Sequence, residues 1–268
     1  MLLRRVSEHV RAQNWFAVLV DFLVVVIGLF IGLQVDTWWE NRKEQALEQL
    51  YLVELLEDFN GNDAKLSEAR AGLERIIEAM VELQGQAALE SPDLDVQALN
   101  ERFALIQSMP SFLAVKRAYS NLTGSGDLRL IENRDLKNSL AQYYAQVEEI
   151  LLVMQTHEAE LVETFQPYII ENLDYAAVAY ERVDDYKLPA PIDGSLIVEL
   201  LPTREFRNVT TQKYVIATDL LNIYRDQHAR NAEILDRLLG IFRVWAMPLE
   251  AARVSCLLAC MLFAQDRQ

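Results

Sequence analysis

Residues 16–35 form a nearly unbroken apolar run, FAVLVDFLVVVIGLFIGLQV, which contains a single charged residue, Asp21. In an α-helix that rises about 1.5 Å per residue, this run is about 30 Å long and matches the hydrocarbon core of a bilayer. Trp15 precedes the run, and Trp38 and Trp39 follow it, where tryptophans line a membrane–water interface. The pattern predicts a transmembrane helix over residues 16–39.

The segment after this helix reads VDTWWENRKEQ and offers no cleavage site made of small residues. A secretory signal peptide would have such a site and a shorter apolar core. We therefore expect a retained anchor. Residues 1–15 are then a short cytoplasmic N-terminus, residues 40–247 the main domain, and residues 248–268 an apolar C-terminal tail.

The basic residues on the two sides of the anchor bear on its orientation. Arg4, Arg5 and Arg11 precede it, whereas Arg42 and Lys43 follow it closely. Under the positive-inside rule, this small excess favours a cytoplasmic N-terminus, and a long acidic segment can be translocated. We expect the main domain to lie outside the cytoplasm, in a periplasm-like compartment.

Beyond the anchor, apolar residues recur at steps of three and four along three long stretches, the spacing of one buried helix face. The fold class that this predicts is all-α: one N-terminal transmembrane helix that continues into a bundle of long helices. The three stripes are Leu66, Ala69, Leu73, Ile76, Met80 and Leu83; Leu136, Leu140, Tyr143, Val147, Ile150, Met154, His157 and Leu161; and Tyr214, Ala217, Leu221, Tyr224, His228, Asn231, Leu235, Leu238, Phe242 and Trp245.

Local signals divide the rest of the domain. Gly61, within FNGND, is predicted to break or kink the first helix, because Asn, Gly and Asp favour non-helical geometry. Asn133 is a suitable N-cap for the second stripe. Shorter helices are expected over residues 95–107, 112–122 and 166–182, with connections at the GSG of residues 124–126 and at residues 187–195. The tail is too short to span a bilayer, which favours a helix on the bundle or in the membrane interface.

Composition and charge narrow the classes of function. Apolar residues make up 51% of the chain, which is enough for a sizeable core, and the formal net charge is −15. Phosphate backbones would repel such a chain, so we expect no nucleic-acid partner. The two cysteines, Cys256 and Cys260, do not make a disulfide framework.

Candidate chemistry is sparse. His157 and His228 both fall on apolar stripes, but neither has the Glu three residues earlier that a di-iron bundle site uses. We expect both to be core or boundary histidines with a hydrogen-bond partner, and we expect no cofactor or metal. The sequence has no G-x-S-x-G, H-E-x-x-H or C-x-x-C motif, which favours a non-enzymatic protein.

Two features inside the anchor are candidates for contact with another transmembrane helix. Gly28 and Gly32 form a G-x-x-x-G pair, which lets two helix backbones approach closely. Asp21 has three interpretations: a carboxylate that reaches the headgroups, a contact between helices, or a group that carries a proton or ion.

Two stretches resemble a family of bacterial membrane-anchored proteins with a domain of unknown function. One is VVVIGLFIGLQVDTWWENRKEQ, residues 24–45, with its LQVDxW element; the other is AYSNLTGSGDLRLIENRDLKNSLAQYY, residues 118–144, with its SGDLRLI element. The resemblance implies a single-pass bacterial protein with a helical domain, and we expect such a protein in the inner membrane. It implies no activity.

These patterns favour a membrane-anchored helical scaffold or accessory subunit whose partners are the lipid bilayer and either copies of itself or a larger membrane complex. Two alternatives belong to other classes. One is a periplasmic sensor-type bundle that signals through a partner, since about 15 residues before the anchor are too few for an output domain. The other is an ion-coupled, motor-type subunit that uses Asp21.

Overall fold

The computed structural model describes the backbone of residues 15–179 and 192–265, and the side chains of residues 22–178 and 192–245. This part of the chain is helical and contains no strand, which confirms the all-α prediction. In chain order, the α-helices are α1 (Trp15–Ala87), α2 (Val96–Ile106), α3 (Arg117–Ser125), α4 (Arg134–Glu160), α5 (Gln166–Asn172), α6 (Tyr175–Ala179), α7 (Leu196–Leu200) and α8 (Arg204–Gln265).

The chain divides into two compact units, Met1–Val53 and Glu54–Gln268. The first unit contains the apolar part of α1. The second contains the rest of α1 and every later helix. The two units divide between Val53 and Glu54, a position that lies within helix α1.

The predicted break at Gly61 is wrong, because α1 runs through it without interruption. Asn62 and Asp63, which follow it, do not compete with the helix backbone, since their side chains bind other parts of the chain. The side chain of Asn62 hydrogen-bonds to the backbone of Val115, and the side chain of Asp63 hydrogen-bonds to His228. A Cβ atom on Gly61 would lie 3.6 Å from Val115 Cγ2, an ordinary van der Waals distance, so the packing here does not require a glycine.

The core of the second unit lies between α1, α4 and α8. All six residues of the first stripe are buried, as are most residues of the other two. Helices α1 and α4 meet through the rings of Phe59 and Tyr143, whose centroids are 4.8 Å apart. Helix α8 packs on both, and Tyr214, at the start of its predicted stripe, is exposed.

Two of the predicted short helices differ in the structure. Residues 112–116 have no regular secondary structure, and α3 begins at Arg117, where the Asp58 carboxylate accepts the Ala118 N–H at 2.7 Å. The helix expected over residues 166–182 ends at Asn172 and restarts at Tyr175. The remainder of that helix and most of the connection 187–195 lie outside the described residues.

Two local predictions are confirmed. Asn133 caps α4, because its side chain accepts the Leu136 N–H at 2.9 Å. The GSG stretch ends α3 at Gly126, whose φ of 79° is left-handed and suits glycine, and a 3₁₀ turn, Asp127–Leu130, follows. The SGDLRLI element is thus a helix stop followed by buried Leu130 and Ile131.

Gly72 packs so closely against Pro110 that there is no room for a side chain at this position. A Cβ atom there would lie 2.7 Å from Pro110 Cγ and 3.2 Å from Pro110 Cβ, and a proline ring cannot swing away as a flexible side chain can. We expect Gly72→Ala to destabilise the protein by about 1–3 kcal/mol, despite the better helix propensity of alanine. Gly61→Ala is the matched control, and urea unfolding in detergent should show it neutral or stabilising. Equal effects of the two changes would contradict this role of the Gly72–Pro110 contact.

Candidate functional site

The exposed apolar surface of α1 is the first candidate site. From Phe22 to Glu40 all side chains are exposed except that of Val26, which is half-exposed. Phe22 is 63% exposed and Val25 69%. The apolar residues face every direction around the helix, and by length and composition this helix can cross a membrane.

The predicted membrane-interface and contact residues have the following placement. The rings of Trp38 and Trp39 meet edge to face, with centroids 5.3 Å apart, and the Arg42 guanidinium lies 5.6 Å from the centroid of Trp38. Gly28 and Gly32 are exposed, and a Cβ atom on either would meet nothing within 4 Å. The side chains of Trp15 and Asp21 lie outside the described residues.

A second site is built around residues 107–116, which connect α2 to α3 and which we term the strap. The strap has no helical or sheet hydrogen bonds of its own along most of its length, yet it runs between helices. Buried backbone groups need partners, and here side chains supply them. The Asn62 side chain hydrogen-bonds to both backbone groups of Val115: its Nδ2 donates to Val115 O at 3.0 Å, and its Oδ1 accepts from Val115 N at 2.6 Å.

Residues of α4 and α8 also hydrogen-bond to the strap. Tyr144 donates its hydroxyl to Val115 O at 3.2 Å. The hydroxyl of Tyr224 accepts the Phe112 N–H at 3.2 Å and lies 3.1 Å from Met154 Sδ. Burial raises the pKa of Tyr224 to about 12, so this hydroxyl keeps its proton at neutral pH.

Lys213 is the most unusual of the residues that hold the strap. Its side chain is buried, its Nζ donates to Ser108 O at 3.1 Å, and the Nζ lies 5.8 Å from the centroid of the Phe165 ring. No carboxylate ion-pairs with it in the described part of the chain. Desolvation by burial lowers its pKa from 10.5 to about 8.

A polar network also joins α1 and α8. Asn231 donates to Phe59 O at 3.0 Å and accepts from the Tyr143 hydroxyl at 3.2 Å. The Arg70 guanidinium donates to His228 Nδ1 at 2.6 Å, so His228 Nε2 carries the ring proton and donates to Asp63 Oδ1 at 2.8 Å. This neutral tautomer completes a chain of bonds from Arg70 to Asp63.

The two histidines therefore differ in their surroundings. His228 has the hydrogen-bond partners that the sequence predicts for a boundary histidine. His157 is half-buried, and its Nδ1 lies 3.5 Å from the carboxylate of Glu160 but makes no hydrogen bond, so the predicted partner is not found at this atom. Among the described residues, no three or more His, Cys, Asp and Glu side chains are grouped so that they could hold a metal ion.

The residues that hold the strap were not predicted from the sequence, although one signal was available. The first stripe, continued backwards from Leu66 by four, reaches Asn62; the third, continued backwards from Ala217 by four, reaches Lys213. Polar residues in line with an apolar stripe are buried residues with specific partners. Asp58, one turn before Asn62, belongs to the same group.

Comparison with known proteins finds no match: no family model, no curated protein and no solved structure is similar to the chain.

Asn62→Ala should destabilise the second unit, because it leaves the Val115 N–H without its partner, whereas the Val115 carbonyl keeps the Tyr144 hydroxyl. We expect a loss of about 1–3 kcal/mol in the free energy of unfolding, the cost of one unsatisfied buried group. Asn60→Ala is the matched control, since the exposed Asn60 side chain binds only Leu56 O of its own helix. Urea unfolding of both variants would contradict the role of Asn62 if their stabilities were the same.

Lys213→Met tests the buried ammonium through pH. Between pH 8 and 10.5 the unfolded chain keeps the Lys213 proton and the folded chain does not, so the wild-type protein gains stability as pH rises through this window. The Met variant lacks this gain, of about 3 kcal/mol. Its stability relative to wild type should therefore be highest at or below pH 8 and fall towards pH 10.5.

The lost bond to Ser108 adds a constant offset, so the change with pH is the informative quantity. Urea unfolding across this pH range measures it. Lys65→Met is the control, because the exposed Lys65 also donates to a strap carbonyl, Leu113 O, at 3.1 Å. A wild-type-to-variant difference at position 213 that stayed constant with pH would refute the buried, desolvated ammonium.

Proposed function

We propose that the chain is a membrane-anchored helical scaffold or accessory subunit of a membrane protein assembly, and that it is not an enzyme. The observation that carries this proposal is the apolar surface of α1, which is exposed at residues such as Phe22 and Val25. In water, a surface of this kind is unfavourable by roughly 25 cal/mol for each Å² of apolar area. A bilayer removes that cost.

An apolar N-terminal helix also occurs as the core helix of a water-soluble protein or as a signal sequence, and both fit α1 less well. A core helix is covered by its own fold, whereas none of the most apolar window of α1 is buried. A signal sequence ends at a cleavage site, whereas α1 continues through Trp38 and Trp39 to Ala87 as one helix. Both observations support a retained anchor.

The ring pair of Trp38 and Trp39 supports the position of the membrane boundary. Indole rings favour the headgroup region, and the neighbouring Arg42 adds a cation that contacts the Trp38 ring there. We place the end of the span at this pair.

The interior of the second unit supports a structural role. Its buried Asp58, Asn62, Lys213 and Asn231 bind backbone groups of the strap, α3 or α1. Polar groups used in this way fix the arrangement of helices and are not available to a substrate. A rigid helical domain on a membrane anchor is suited to binding other proteins.

The glycine face of the anchor is the proposed site of assembly, through a copy of the chain or a different subunit. Gly28→Leu together with Gly32→Leu fills this face, and it should weaken association by about 1 kcal/mol or more. Neither glycine has a neighbour within 4 Å, so the change should leave the monomer intact. Crosslinking in membranes measures association directly.

Val26→Leu together with Phe30→Leu is the matched control for this pair, since these positions have the same spacing on another face of the helix. We expect it to retain the crosslinked species that the glycine double variant loses. Unchanged crosslinking in the glycine variant would exclude this face as an interface.

We further propose that the protein is a single-pass protein of a bacterial inner membrane, with its main domain in the periplasm. The arginines before the anchor support this orientation. Ser91 is exposed, so Ser91→Cys in a background without Cys256 and Cys260 gives a single reporter thiol. A membrane-impermeant maleimide should label it in intact spheroplasts; labelling only after lysis would reverse the orientation.

A further inference from the structure

Helices α1 and α8 of the second unit are antiparallel. Gln84, late in α1, bonds to Thr210, early in α8, whereas Phe59, earlier in α1, bonds to Asn231, further along α8. The ion pair of Arg225 with Glu74 lies between these two contacts. The point at which α1 enters this unit and the point at which α8 leaves its core are therefore at the same end of the unit.

Between Leu238, which is buried, and Trp245, where the described side chains of α8 end, this helix has exposed apolar side chains. Leu239 is 41% exposed and Val244 65%. The rings of Phe242 and Trp245 pack edge to face with centroids 5.6 Å apart, and the exposed Arg243 lies between them in the chain. Exposed aliphatic residues, an aromatic pair and a basic residue are typical of helices that bind a membrane interface.

The backbone of α8 continues as a helix to Gln265. The sequence of residues 251–264, AARVSCLLACMLFA, contains one charged residue, Arg253. In a protein with a net charge of −15, the stretch 239–265 has the basic Arg243 and Arg253 against the acidic Glu250, so it is not repelled by lipid headgroups.

We propose that residues 239–265 of α8 form a second membrane contact, a helix that lies in the headgroup interface of the bilayer that the anchor crosses. The inference rests on the proposed anchoring function. The lengths of the two segments permit this contact: residues 239–265 extend about 40 Å as a helix, whereas residues 40–53, between the span and the second unit, extend about 21 Å. The apolar part of α8 is too short to cross the hydrocarbon core itself.

The full chain in phospholipid vesicles tests the proposal. Cys256→Ser leaves Cys260 as the single thiol for an environment-sensitive NBD label. Lipids with a doxyl quencher near the headgroups or near the bilayer centre then report its depth. In the background without native cysteines, Phe30→Cys reports the anchor, and Ser91→Cys reports the solvent.

We expect the label at Cys260 to be quenched severalfold more strongly by the shallow quencher than by the deep one. The Phe30→Cys label should be quenched by the deep lipid, and the Ser91→Cys label by neither. Replacing Leu257 and Leu258 with Gln should reduce quenching at Cys260 while circular dichroism shows the helical content retained.

Three outcomes would overturn the inference, and they are distinguishable. Deeper quenching at Cys260 than at the headgroups would make this segment a second span. Absence of quenching at Cys260, with the anchor label still quenched, would place the segment on protein or in water and leave the anchor intact. Absence of quenching at both sites would refute the anchoring function as well.

Discussion

An irregular segment between packed helices must have its peptide groups satisfied by side chains, and the second unit is arranged around this constraint. The strap accepts hydrogen bonds from Asn62 on α1, Tyr144 on α4 and Lys213 on α8, and it donates one to Tyr224 on α8. Apolar packing between these three helices sets which faces meet. The bonds to one shared segment set their axial register, because a shift of a helix by one turn would separate several donors from their acceptors together.

The apolar faces of the helices were predictable and the strap was not, for a physical reason. Periodicity records which side of a helix is removed from water, and it does so for Leu66 and Leu73 whether the partner is a helix or an extended chain. It does not record what covers that side. Residues 112–116 lie between two helices, and contacts with residues far along the chain, such as those of Val115 and Phe112, hold them outside a helix.

The prediction at Gly61 failed for a related reason. Asn and Asp interrupt helices when their side chains bind local backbone, and they do not when a partner far along the chain binds them instead. Asn62 has such a partner 53 residues away, and Asp63 has one 165 residues away. The candidate membrane segment was more predictable, because its signal is composition over a fixed length and needs no knowledge of a partner. The identity of a protein partner has no such signal.

The bonds of Tyr224 and Lys213 to the strap join residues that are 112 and 105 positions apart. During synthesis, the strap therefore leaves the ribosome well before the side chains that complete its hydrogen bonds, and its peptide groups remain bound to water until α8 has been made. The apolar part of α1 precedes the strap in the chain and is made before it. The domain therefore finishes folding only after its chain already has the segment that we propose as its membrane anchor.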